Sequence, residues 1–223
     1  MTAKRLYPII ACGSIVFAVV GIVVGQLVLD PGLNPLNVTV SEYAVSDRGG
    51  VTEAAMMVLG LGSIVLLRAL KAANAPVRGL PERLLWVWSG ALIVAAVIPT
   101  SPIGADLTLT AEIHRYVSVA AFVSLPAAAA LLVPRLTADE AWQPVARTVE
   151  WLALAGGLGV LAVTYVALPG ERVMIGLVER LLLGAEVALL AVLAAWLVRL
   201  AWGRAIQRPA DFRTYHRFVA SRS

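Results

Sequence analysis

Three short segments hold most of the residues in this chain that are equipped for chemistry. Ser41-Glu42-Tyr43 is followed by Asp47; Pro99-Thr100-Ser101-Pro102 and Asp106 lead into Glu112 and His114; Glu171-Arg172 precede Glu179-Arg180. These are residue types suited to acid–base work. Glu42, His114 and Asp106 can take or give a proton, Tyr43 can donate a hydrogen bond, and Arg180 can hold an anionic group or a catalytic carboxylate. Glu179, Ser41 and Thr100 add donors and acceptors suited to binding a substrate. Such a set can protonate an alkene for cyclisation or activate water for hydrolysis.

Each residue also has an ordinary use. Glu112, Arg115, Glu171 and Arg172 can snorkel at an interface, Asp30, Asp47 and Asp106 can form solvated turns, and His114 can be structural. Ser41 can cap a short helix that contains Glu42. Arg180 is harder to place among ordinary residues. Neighbours on a helix point about 100° apart, so Glu179 is not its partner, and at 1.5 Å of rise per residue it lies roughly 10 Å below its helix start. The expectation is a pairing with an outer carboxylate, Glu42 or Asp106. Glu186 follows Glu179 by one heptad on roughly the same face. It reads either as a protonated carboxyl bonded to a neighbouring helix or as a proton-accepting site.

Several chemistries have no support. Cys12 is the only cysteine, so an intrachain disulfide and a cysteine-rich metal site are both out of reach. There is no HExxH, no His pair at metal-ligand spacing and no nucleophile elbow. Gly156-Gly157-Leu158-Gly159 lies inside an apolar run with no Lys-Ser/Thr after it, so it is not a phosphate loop. No cofactor and no metal are expected.

What must position these residues is a membrane bundle. The 223 residues are 60% hydrophobic and 14% charged, too apolar for a soluble domain. The apolar residues fall into blocks of about 20, the length that crosses a bilayer core. The expected spans are Leu6–Leu29, Thr52–Leu70, Leu84–Ile98, Ala111–Val133, Val149–Leu168 and Val173–Leu200. The short third span can recruit Pro99–Ser101, and Pro and Gly mark nearly every break. The first run is too long for a signal segment and is expected to be retained. The fold class is therefore all-α, with six transmembrane helices in one domain over residues 1–223 and a basic tail over 200–223.

Orientation follows from charge. Of the eighteen Lys and Arg residues, only Arg48, Arg115, Arg172 and Arg180 fall on the side opposite the termini. Positive residues stay inside, so both termini are expected in the cytoplasm and the chain in the plasma membrane. The same topology explains the net charge of +4 without nucleic acid. Membrane lipids are the expected surroundings, and a hydrophobic small molecule the expected substrate. The small residues, Gly21 and Gly25 among them, suit close helix packing within the chain. A homodimer through the first helix is the alternative use of that pair.

The run from Ser41-Glu42-Tyr43-Ala44 to Gly49-Gly50, the turn Pro99–Pro102 with Ile113-His114, and Gly176-Leu177-Val178-Glu179-Arg180 together resemble a prokaryotic family. It is a family of six-helix membrane proteins catalogued as domain of unknown function nine-nine-eight. The resemblance covers nearly the whole chain and implies that the three segments act together. Members tend to carry Asp where this chain has Ser101, which weakens any cation-binding role for that turn. The family brings no activity with it. Two functions stay open: a membrane-embedded acid–base enzyme on a lipid or isoprenoid-like substrate, and a non-catalytic binder, small carrier or structural protein. A cavity lined by His114 and a carboxylate would favour the enzyme.

Overall fold

The computed structural model describes residues 3–29, 32–46, 50–102, 105, 106 and 108–206. Among these residues seven α-helices run in order: α1 (Ala3–Val24), α2 (Val40–Ser46), α3 (Val51–Ala72), α4 (Leu80–Val97), α5 (Leu109–Ala138), α6 (Gln143–Ala167) and α7 (Ile175–Ile206). A π turn, Gly25–Leu29, ends α1, and no strand occurs among the described residues. All but α2 are long and apolar enough to cross a membrane. The chain is a multi-pass membrane protein.

The six long helices form a ring. Each packs on its neighbour in the chain, and α7 closes back against α1. Small residues allow the close approaches. A Cβ on Gly21 would press on Ala55, one on Gly60 on Ile93, and one on Gly159 on Leu182. Gly21 therefore serves the α1–α3 contact inside the chain. Gly156 receives the ring of Pro126, a proline within α5.

The packed core lies toward the end of the bundle away from α2. Leu66, Leu70, Leu132, Leu136, Trp142, Leu193 and Leu197 are all buried there. Trp196 Nε1 donates to Ala141 O at 2.9 Å, tying α7 to the α5–α6 turn, and Lys71 pairs with Glu82 across the α3–α4 turn.

The expected spans match these helices, with differences at the ends. The third gains length at its start: Leu80 and Pro81 open α4, where a proline in the first turn lacks an N–H that would have no partner anyway. It does not recruit Pro99–Ser101. The fourth runs on through Pro134 to Ala138. The last helix begins at Ile175, two residues after the expected Val173. Glu171 and Arg172 lie in the preceding turn with left-handed φ of 51° and 62°, followed by Met174 at 56°.

Candidate functional site

Arg180 is the hub of the α2 end. Its Nε donates to Gln26 Oε1 of the π turn at 3.0 Å. Its Nη1 reaches three carbonyl oxygens: Pro35 at 2.6 Å, Val38 at 2.7 Å and Gly176 at 2.9 Å. The guanidinium sits 5.3 Å from the centre of the Tyr43 ring, within cation–π range. The expected ion pairs with Glu42 and Asp106 do not form. Carbonyl dipoles from the loop and the first turn of α7, with an amide of the π turn, hold the charge instead.

The loop over residues 32–39 and α2 form a strap across this end, and the Gly176–Arg180 segment grips it. Leu177 N donates to Leu36 O at 3.0 Å, and Val40 N donates to Glu179 Oε2 at 2.7 Å. Gly176 is required by contact, because a methyl there would overlap the carbonyl oxygens of Pro35 and Val38. Tyr43, fully buried, donates its hydroxyl to Leu33 O at 2.8 Å.

The start of α2 is a capping box. Thr39 N and Oγ1 donate to Glu42 Oε2 at 2.8 and 2.9 Å, while Glu42 N donates back to Thr39 Oγ1 at 3.2 Å. The cap is thus Thr39, not Ser41. The other oxygen of Glu42 accepts from Arg172 Nη2 at 2.6 Å, bringing the α6–α7 turn to the strap.

Below the strap lies a cavity of about 410 Å³ between α1, α3, α4, α5 and α7. Its walls are almost wholly apolar, including Ile22, Leu59, Trp88, Leu92, Phe122 and Val187. Its polar end carries Ser41, Glu179 and Arg180. Arg180 Nη2 is buried there without a hydrogen-bond partner among the described residues. So is Gln26 Nε2 beside it. A guanidinium has five N–H donors, and Arg180 keeps two of them unspent.

Of the eight candidate residues, the structure brings Ser41, Glu179 and Arg180 to this cavity, while Glu42 and Tyr43 build the strap above it. The second hairpin forms its own cluster. His114 is buried with Nδ1 2.5 Å from Ile98 O, and its Nε2 has no hydrogen-bond partner among the described residues. Ser101 Oγ donates to Asp106 O at 3.0 Å and accepts from Thr108 N at 3.4 Å. Neither His114, Asp106 nor Thr100 lines the cavity, and among the described residues no hydrogen bond or ion pair joins this hairpin to the strap. Glu186 is 2% exposed, both its oxygens are without a hydrogen-bond partner among the described residues, and it too lies off the cavity wall. Asp30 and Asp47 lie outside the described residues.

Gln26, Thr39 and Gly176 are the participants that residue chemistry overlooks. Thr39-Val40-Ser41-Glu42 is a capping-box pattern readable in the sequence. Gln26 is a polar residue within an apolar run, which is itself a signal. Gly176 offers no signal until its neighbours are known.

Residues 11–196 match the family model described as "Protein of unknown function (DUF998)". Neither a curated protein nor a solved structure matches the chain.

Proposed function

The chain belongs to the family of unknown function DUF998, and we propose that it binds an amphipathic molecule. The apolar chain of that molecule lies in the central cavity, and its polar head, bearing an anionic oxygen, meets Arg180. One observation carries this reading. Arg180 lines the polar end of an otherwise apolar cavity, and its Nη2, buried against the protein, has two N–H donors and no acceptor among the described residues. Buried donors left without partners cost roughly 1–3 kcal/mol each, and an acceptor supplied by a ligand removes that cost. The cavity volume falls in the range of about 300–1,000 Å³ common for small-molecule sites. Ser41 and Glu179 flank the head, and Glu179 is oriented by Val40 N.

An acid–base reaction run by Glu42, His114, Asp106 and Tyr43 has less support, because none of the four lines the cavity. We place the protein in the plasma membrane with the α2 end outside and both termini in the cytoplasm, on the strength of the Lys and Arg distribution. Native mass spectrometry of the purified protein tests the binding reading. The expected result is one retained single-chain amphiphile with an acidic head, lost in Gly184→Phe, whose new side chain projects into open space at the cavity wall. A natural protein that retains no such amphiphile would contradict it. Retention of a modified product beside the unmodified amphiphile would move the reading to catalysis.

A further inference from the structure

We propose that the ligand enters sideways from the bilayer, through a seam between α1 and α7 that is latched at one end by Arg180 and Gln26. The proposal rests on the binding reading above and adds the route.

The cavity wall is sealed on one side and open on the other. On α3 and α4 the lining residues Ala55 and Trp88 are 0% exposed. On α1 the lining residues Val19 and Val23 are 45% and 48% exposed. Facing them on α7, Gly184 is exposed, and a Cβ added there would meet nothing within 4 Å. Among the lining residues, Val19, Val23 and Gly184 are the exposed ones, which places the opening beside them.

Helix geometry identifies the seam. Residues i and i+4 share one flank of a helix, which puts Val19 and Val23 on the same flank of α1, below Gln26 in the π turn that ends it. Gln26 bonds Arg180 of α7, so that flank faces α7. The opposite flank faces α3, through Gly21 against Ala55 and Ser14 against Gly62. On α7, Arg180 and Gly184 share a flank by the same spacing, while Leu182 on another side meets Gly159 of α6. The half-exposed lining residues of α1 and the bare backbone of Gly184 therefore lie along one seam.

The level of the seam decides what passes through it. Gly184 lies about 13 Å along α7 from its start at Ile175, and Val19 and Val23 lie within the α1 span. Outside that level is hydrocarbon, so a chain already dissolved in the bilayer has access and a water-borne solute does not. The Arg180–Gln26 bond joins α7 to α1 at the strap end of the seam and leaves Nη2 unspent. A head group with an acceptor oxygen can be held there without breaking the latch. The occupant is a single-chain amphiphile with a carboxylate or phosphate head.

Photolabelling in proteoliposomes tests the route. The probes are palmitate with a mid-chain diazirine and the lysophosphatidic acid made from it, and labelled residues are mapped by mass spectrometry. In the natural protein both cavity residues, such as Ala55 and Leu92, and lipid-facing residues, such as Leu161 and Tyr165, are expected to be labelled. Val23→Trp or Gly184→Phe should reduce cavity labelling at least ten-fold and leave lipid-facing labelling unchanged. Two variants on opposite sides of the seam guard against misfolding of either. Cavity labelling that persists in both variants would overturn the route while the binding reading stands. Cavity residues unlabelled even in the natural protein, with lipid-facing residues labelled, would overturn both. Labelling by palmitate alone or by the lysophosphatidic acid alone supports the route and identifies the head.

Discussion

Arg180 of α7 donates its Nε–H to Gln26 at the end of α1, at 3.0 Å, and so joins the last helix of the ring to the first. The same side chain holds two carbonyls of the strap. Replacing it with Ala strands those carbonyls and the Gln26 amide, each loss costing roughly 1–3 kcal/mol. Arg180→Ala should therefore melt well below the natural protein in detergent. Arg180→Lys should recover only part of the loss, because one ammonium cannot reproduce the guanidinium fork. An unchanged melting temperature for Arg180→Ala would remove the latch from the account.

Two glycines on one helix should respond in opposite ways. A methyl on Gly176 overlaps the carbonyl oxygens of Pro35 and Val38, whereas one on Gly184 meets nothing. Gly176→Ala is expected to destabilise markedly by displacing the strap. Gly184→Ala should be neutral or stabilising by up to about 1 kcal/mol, the helix-propensity gain. Thermal unfolding of the two variants side by side checks this, and equal shifts would contradict the strap geometry.

Glu42 has separable jobs. Glu42→Gln keeps an acceptor for the capping box and loses the ion pair to Arg172, so it should cost only about 0.2–1 kcal/mol, and less at high salt. Glu42→Ala loses the cap as well and should cost roughly 1 kcal/mol more. Salt-dependent melting of the two variants separates the contributions. A Gln variant as unstable as the Ala variant would mean that the ion pair dominates.

Much of this architecture is legible in the residues. Runs of apolar residues bounded by Pro and Gly mark the six spans, because the bilayer fixes helix length. The depth of Arg180 marks the site, because a charge there needs compensation. Its partners are not legible. Carbonyls carry no residue signature, so Pro35, Val38 and Gly176 become visible only once the strap is folded over α7. His114 looks catalytic by type, yet its place beside Ile98 O is set by the turn between α4 and α5. The cavity depends on helix rotations around the ring, which a pattern of small and large residues does not specify.

Orientation has its own test. With Cys12 replaced by Ser, Asn34→Cys and Thr108→Cys should react with an impermeant thiol reagent on intact cells, and Asn74→Cys should not. Reaction at position 74 alone would invert the topology.

The central claim is that Arg180 presents unspent donors to the head of a bound amphiphile. The most direct measurement is equilibrium binding of three sixteen-carbon amphiphiles to the natural protein in nanodiscs, differing only in their heads: carboxylate, alcohol and trimethylammonium. A hydrogen bond from a charged donor is worth roughly 1.5–3 kcal/mol, so the carboxylate should bind at least about ten-fold more tightly than the ammonium. The alcohol should fall between them. Equal affinities would contradict the account, and tightest binding by the ammonium would contradict it and assign control of the cavity to Glu179 instead.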